Sequence, residues 1–433
     1  MSIELYTYKF LLQPTRLQAI LLNKHIGAGR YCYNYFLNQK KIDYQNYKQL
    51  QIDDTKFVNI KYRGSNYNDD SAKLTQMKRE LETGWLKEVN SQSLQYSLKC
   101  LDIAFQRFFK KTAAFPKFHN RFRTNSFTIP ANTRIVSRKV RDDSCTSFKN
   151  QFKLVIPKFL EGIKVLIHRE LEGEICTSTI SKEPTGEYYV TITVERDMTE
   201  VISKYYQQTG KVIGIDLGIK DLIVTSNPNS SNQKNPKNTY KHQDTLKVLQ
   251  AHLSKKVKGS KNRDKARLKV TRIHKKITNS RKDAIHKATT NLVRENDIII
   301  METLKTKNML RNRKLAKAIS DASFGEIKRQ LEYKAKWYNK IVVKIGTFYP
   351  SSKTCSACGW IKQDLTLKDR HWSCSQCATK HDRDINASKN ILKEGLRCIS
   401  SGTGDYTHGA NVSLNLIKQL ALKWEAQGSL ALE

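Results

Sequence analysis

Apolar and polar positions alternate over residues 3–12 and predict a strand that stops at Pro14, with Thr15 placed to cap a helix beginning at Arg16. Apolar and tyrosine side chains then recur at helical spacing over 17–36. Further on, Leu94, Leu98, Leu101, Phe105 and Phe108 follow at steps of 4, 3, 4 and 3, the stripe of an amphipathic helix. Between these helices, 40–70 is dominated by Asn, Asp, Gln, Tyr and Lys and predicts a loop or irregular segment. From Phe115 the period shortens to two, and 126–129, 152–156, 163–167, 175–180 and 188–194 read as short strands. The last two form a hairpin about Glu183-Pro184-Thr185-Gly186, with Tyr188, Val190, Ile192 and Val194 on one face. The opening strand is compatible with the same sheet, which would make the helices an insertion.

After a polar joint at 201–210, Val212-Ile213-Gly214-Ile215-Asp216 and Asp221-Leu222-Ile223-Val224-Thr225 read as two buried strands around a tight turn. An Asn-, Ser- and Pro-rich loop covers 226–239. Residues 244–293 are helical and basic, a hairpin broken at Gly259, with Ala266, Val270, Ile273 and Ile277 on its core face. No internal repeat appears.

Composition adds a partner. In 433 residues, 77 Lys and Arg stand against 40 Asp and Glu, a formal charge of +37 that is costly in self-repulsion unless a polyanion is present. Nucleic acid is the expected partner, and the lysines and arginines opposite the core face of 244–293 are its expected contact. Aromatic residues at 9% supply cores and argue against a disordered basic tail. The mean hydropathy of −0.60, the lack of a long apolar run and an N-terminus that reads as a strand predict no membrane span, no signal peptide and a cytoplasmic location.

Nine cysteines in a reducing compartment are expected as thiols or metal ligands. Cys355-Ser-Ala-Cys358 and Cys374-Ser-Gln-Cys377 form a C-x2-C-x15-C-x2-C pattern, the spacing of a four-thiolate structural Zn²⁺ site, with Gly359 and Trp372 suited to a zinc ribbon. Cys32, Cys100, Cys145, Cys176 and Cys398 are scattered and read as inert. Three acids occupy a different pattern. Asp216 ends one apolar strand, Glu302 ends another, Asp297-Ile298-Ile299-Ile300-Met301, and Asp382 and Asp384 open a helix running through Leu392. Each acid alone reads as a cap or surface charge. Strand acid, strand acid and helix-entry acid in this order suit a ribonuclease H-type core, in which carboxylates hold two Mg²⁺ ions for phosphodiester hydrolysis and Asp216 is the natural bridging ligand.

These residues resemble the TnpB family of insertion-sequence-encoded, RNA-guided nucleases, relatives of the compact type V CRISPR effectors. The resemblance rests on Gly214-Ile215-Asp216-Leu217-Gly218, Met301-Glu302-Thr303-Leu304, Tyr333-Lys334-Ala335 leading to Tyr349-Pro350-Ser351-Ser352-Lys353-Thr354-Cys355, the four cysteines, and Asp382-Arg383-Asp384-Ile385-Asn386-Ala387. It spans 212–392, with a looser likeness in the N-terminal half through the opening strand and helix and Phe115-Pro116-Lys117-Phe118. Ser388 is a mild departure from the two small residues usual after Asn in the family's motif.

The resemblance implies an α/β fold plus a β-rich module: an RNase H-like (RuvC-type) nuclease domain at 206–433 with a zinc ribbon inserted at about 350–380, preceded by a β-barrel-like wedge module (1–14 and 113–205) that carries an inserted helical recognition lobe (15–112). It implies Asp216, Glu302 and Asp384 as catalytic Mg²⁺ ligands, Asp384 rather than Asp382 because the family's ligand lies two positions before Asn-Ala. It further implies Zn²⁺ on Cys355, Cys358, Cys374 and Cys377, a guide RNA and a target double-stranded DNA as partners of a monomer, and cleavage of DNA beside a short adjacent motif. The alternatives are a miniature CRISPR effector with the same core or a non-cleaving nucleic-acid-binding regulator. Tyr31, Tyr33, Tyr35, Phe36, Phe118 and Phe122, interleaved with basic residues such as Arg121, are candidates for base stacking, though core packing is the commoner fate of such rings.

Overall fold

The structure, a computed structural model, describes residues 3–53, 64–121, 124–141, 148–197, 209–227, 232–366, 368–403 and 405–408. Cys145, Phe122 and most of the joint at 201–210 lie outside the described residues. The chain divides into two compact units, Ile3–Arg196 and Asp197–Glu433.

In the first unit, β1 (Ile3–Gln13) leads into α1 (Arg16–Asp53), whose start is fixed reciprocally: Thr15 Oγ1 accepts from Gln18 N, and Gln18 Oε1 accepts from Thr15 N. α2 (Tyr67–Met77) and α3 (Ser91–Phe109) follow, then β2 (Ser126–Ile129), β3 (Arg134–Arg141), β4 (Phe148–Ile156), β5 (Phe159–Leu166), β6 (Glu174–Lys182) and β7 (Tyr188–Asp197). The seven strands form one sheet in the order β2-β6-β7-β1-β5-β4-β3, so the first strand of the chain lies inside the sheet. α1 serves two cores. Leu22 and Ile26 pack with Phe10, Ile163, Val190 and Ile192 of the sheet, whereas Phe36 and Leu37 pack on Leu94, Leu98 and Leu101 of α3.

One expectation fails here, and one strand has no counterpart among the expected ones. Residues 40–53 continue α1 and 67–77 form α2, where a loop was expected across 40–70. The segment is polar, yet Lys, Gln and Leu are good helix formers, Asn66 and Asp69 build a capping box for α2, and Lys40 Nζ meets the buried Asp70 carboxylate at 2.9 Å. β3 also escapes the apolar pattern, because Arg and Lys fill a strand at the sheet's end, where charge blunts further pairing.

In the second unit, β8 (Val212–Asp216), β9 (Asp221–Thr225) and β10 (Gln233–Lys234) form an antiparallel meander. Next come α4 (Asn238–Lys241), α5 (Gln243–Ser254) and α6 (Lys261–Glu295), with Gly259 at φ +87° turning the chain between the last two as its sequence predicts. β11 (Ile298–Glu302), α7 (Thr306–Met309), α8 (Ala316–Ala322), α9 (Phe324–Trp337), β12 (Ile341–Ile345), β13 (His371–Ser373), β14 (Lys380–Asp382), α10 (Arg383–Ser401) and β15 (Asp405–His408) complete it. The main sheet has the order β10-β9-β8-β11-β12-β15, with β8, β11 and β12 parallel. Both faces are covered. Ile299, Met301 and Val342 pack under α6 and α9, while Ile298, Ile300 and Val343 pack under Ile391, Leu396 and Ile399 of α10. This explains why β11 is an unbroken apolar run rather than an alternating one.

The N-terminal ends of the parallel strands are tied by one buried acid. Asp297 accepts from Thr209 N at 2.8 Å, Gly210 N at 2.6 Å and Lys340 Nζ at 2.5 Å, and both charged side chains are buried. Asp297→Ala is therefore expected to destabilise this unit by about 3–5 kcal/mol, read as a lowered urea midpoint, because the buried ammonium loses its carboxylate. A midpoint unchanged within error would show that the pair does not hold the strand ends. Among the described residues, no helix is long and apolar enough to cross a membrane.

Candidate active site and metal centre

Asp216 and Glu302 are the last residues of two adjacent parallel strands, paired in register through Gly214 with Ile300 and Ile215 with Met301. The two carboxylates therefore leave the same end of the sheet. Asp384 lies in the first turn of α10, where Asp382 is the N-cap: its Oδ1 accepts from Asp384 N and Ile385 N, both at 3.0 Å. α10 crosses the sheet at close quarters. A Cβ on Gly214 would stand 2.4 Å from Ser388 O, and one on Gly395 would stand 2.2 Å from Ile300 Cγ2, so only glycine lets the helix lie this near the strands.

The three acids share one electrostatic site. Burial first, then the charges of Glu302 and Asp384, push the Asp216 carboxyl up to about 7, against the pull of Arg383 and the Leu217 N–H. Burial also raises Glu302. Asp384 is held by Arg370, whose Nη1 donates to Oδ2 at 2.7 Å. A cleft of about 500 Å³ opens beside Glu302, lined also by Tyr349, Ser351, Lys353, Thr366 and Arg383 among others. Glu302 and Asp384 are close enough to oppose the ionisation of Asp216. Among the described residues, however, the group of potential ligand atoms lying within 4.8 Å of one another is that of the four cysteines.

Those cysteines are grouped so that they could hold a metal ion. Cys355 Sγ lies 3.6 Å from Cys377 Sγ, and Cys358 Sγ lies 3.6 Å from Cys374 Sγ. A tetrahedron of thiolates 2.3 Å from a central ion has edges of about 3.8 Å, and these two sulfur pairs stand close to that. The two knuckles share a backbone design. Gly359 N donates to Cys355 O and Ala378 N to Cys374 O, each at 2.9 Å, with Gly359 and Ala378 both left-handed at φ +81° and +56°. The ribbon is pegged to α10 by one helical stripe. Asn386 Oδ1 accepts from Ser356 N at 2.9 Å, Asn390 Nδ2 donates to Ser351 O at 2.8 Å, and Lys393 Nζ donates to Ser356 O at 2.5 Å.

Sequence reasoning missed Arg370, His381 and the Asn386/Asn390 pegs. Asn386 and Asn390 did carry a signal, since two amides one turn apart on a buried helix face need partners; Arg370 and His381 carry no periodic signal. Of the stacking candidates, Phe36 is buried, Tyr33 stacks on His119 with centroids 3.7 Å apart, and Phe118 is exposed beneath Lys41 Nζ. Cys32 is buried and its thiol is pushed up to about 12 by desolvation, the state of an inert cysteine.

The second unit thus combines a three-layer α/β arrangement, acids at the ends of parallel strands and a four-cysteine cluster that could hold a metal ion. Comparison with known proteins supplies its family. Residues 189–313 match the OrfB/IS605 model described as "Probable transposase", 324–391 match a "Cas12f1-like, TNB domain" and 1–49 match a "Helix-turn-helix domain", a span that here holds β1 and most of α1. A relative from Streptomyces pristinaespiralis, named "Putative RNA-guided DNA endonuclease", is 35% identical over 399 residues, covering 92% of this chain and 91% of the relative. InsQ of Escherichia coli strain K12, which bears the same description, is 28% identical over 419 residues, covering 92% and 94%. A solved Cas12f1–sgRNA–target DNA complex matches with a TM-score of 0.48 at 15% identity, over 87% of this chain and 83% of that one. The chain belongs to the TnpB (OrfB/IS605) family.

Proposed function

We propose that this protein is an RNA-guided DNA endonuclease that hydrolyses target DNA with two Mg²⁺ ions held by Asp216, Glu302 and Asp384. The observation that carries the reading is that Asp216 and Glu302 end neighbouring parallel strands at one end of the sheet, with Asp384, in the first turn of the helix crossing them, near enough for its charge to act on Asp216. The strand order, an antiparallel meander of three followed by two parallel strands, is that of an RNase H-like core and supports a RuvC-type domain over 206–433. Bound Mg²⁺ would supply an activated water and stabilise the leaving oxygen. The chain's own residues prepare the place: Asp216 and Glu302 supply oxygens from rigid strand ends, the Asp382 cap fixes the turn that carries Asp384, and Arg370 and Arg383 are basic groups at the site for the scissile phosphate.

Guide RNA and target DNA enter from the names of the relatives and from the charge. Lys261, Lys265, Lys269, Arg272 and Lys276 are exposed at steps of 4, 4, 3 and 4, one face of α6, and form a stripe suited to a phosphate backbone. The first unit would supply a wedge module (1–14 and 113–205) and a recognition lobe (15–112), and the protein would act in the cytoplasm on nucleoid DNA.

The test begins by sequencing RNA that co-purifies from the native locus. A discrete structured RNA ending beyond the element boundary, which programs Mg²⁺-dependent cleavage of matching DNA, is the expected result; repeat-derived RNA would move the reading to a CRISPR effector. Random fragments, or no RNA, would withdraw guidance and leave only the metal-dependent core.

A further inference from the structure

His381 touches the metal centre without belonging to it. Its Nε2 lies 3.1 Å from Cys355 Sγ, yet the ligand atoms that lie mutually within 4.8 Å are those of the four cysteines alone. Both residues are buried, and His381 faces Trp372 directly across the β13–β14 hairpin, with ring centroids 4.7 Å apart. A metal-bound thiolate can only accept a hydrogen bond, so at this distance the imidazole nitrogen is the donor. The next residue, Asp382, caps the helix that carries Asp384.

We infer that His381 is a positioning residue: it donates Nε2–H to the metal-bound Cys355 thiolate and so joins zinc occupancy to the first turn of α10. The bond disperses thiolate charge and slows metal loss. It also holds β14 against the first knuckle, at the point where the ribbon hands over to the helix. This inference rests on the four cysteines as the zinc site and not on the nuclease reading, so failure of cleavage would leave it standing.

The test compares His381→Gln, which retains a donor near the Nε2 position, with His381→Phe, which retains the ring against Trp372, in the full chain. Zinc release to a chromogenic chelator and the sulfur-to-metal charge-transfer bands of the Co²⁺-substituted protein are read together. Phe is expected to speed zinc release by about 10–100-fold and move the charge-transfer bands to lower energy, while Gln stays near wild type and the d–d bands report four sulfurs throughout. Should the Phe variant not fold, His381→Glu against His381→Gln makes the same comparison, because Glu at neutral pH accepts only. Release rates and spectra equal across all variants, Gln behaving like Phe or Glu, or wild-type bands reporting three sulfurs and one nitrogen would each overturn the inference.

Discussion

Asp216→Asn is expected to abolish target cleavage while raising the stability of the metal-free protein. The loss should reach about 10³-fold or more, since the change removes a ligand oxygen shared by both proposed ions and with it several kcal/mol of charge stabilisation. Binding of guide RNA and target DNA should stay close to wild type, because neither depends on a carboxylate at the sheet's end. The stability gain has a separate cause. The folded protein holds the Asp216 carboxyl at about 7, above its ordinary value, so between the two values the native state binds a proton that the unfolded chain releases, and stability falls as pH rises. Above that window the wild type carries a half-buried, partly desolvated charge opposed by those of Glu302 and Asp384. The amide does not, and the variant should melt higher by the equivalent of roughly 1–4 kcal/mol. Added Mg²⁺ should raise the wild-type melting temperature more than the variant's. Undiminished cleavage would remove Asp216 from the mechanism, and a variant that melts lower would show that the acid is structural.

Cys374→Ser should have the second-largest effect. A structural zinc site contributes about 10–16 kcal/mol of apparent binding energy in small zinc-finger peptides, so one of four thiolates accounts for about 3 kcal/mol, roughly 10²-fold or more in metal affinity. The expected sequence is loss of zinc after dialysis, protease cleavage between residues 352 and 382, and loss of DNA cleavage. The β8–β11–β12 sheet should persist, because its cores lie on other side chains. The link to cleavage runs through the pegs: without a folded knuckle, Asn386 and Asn390 lose their backbone partners and Arg370 leaves Asp384. Full zinc content with full cleavage would refute the coupling.

The features legible in the sequence were those written locally. Cysteine spacing, the glycine break at Gly259, the strand ending in Asp216 and the Tyr188–Val194 alternation each depend on neighbours within a few residues, and each appears in the structure as read. What escaped was fixed from a distance. The helix over 40–53 is polar and draws support from Asp70, β3 owes its pairing to β4, and β15 closes the sheet where Asp405 meets Lys344 at 2.9 Å. At the site, the sequence order of the three acids was visible. Their spacing was not, nor that Arg370 and His381 reach across the ribbon, because such contacts depend on where two segments meet rather than on any period within one.

The position of β1 bears on how the protein is made. It is synthesised before the other strands of its sheet, yet its place lies between β5 and β7, which end at Leu166 and Asp197. At about 5–20 residues per second, the ribosome needs roughly 10–40 s after β1 emerges to complete β7. Until β5 is complete β1 lacks both neighbours, and its other edge stays open until β7 follows, so the sheet can close only as a late, long-range event. Tyr8, Phe10 and Leu12 share their core with Ile163, Val190 and Ile192, so their cover is complete only when the late strands arrive, and until then they offer a target to a holdase chaperone.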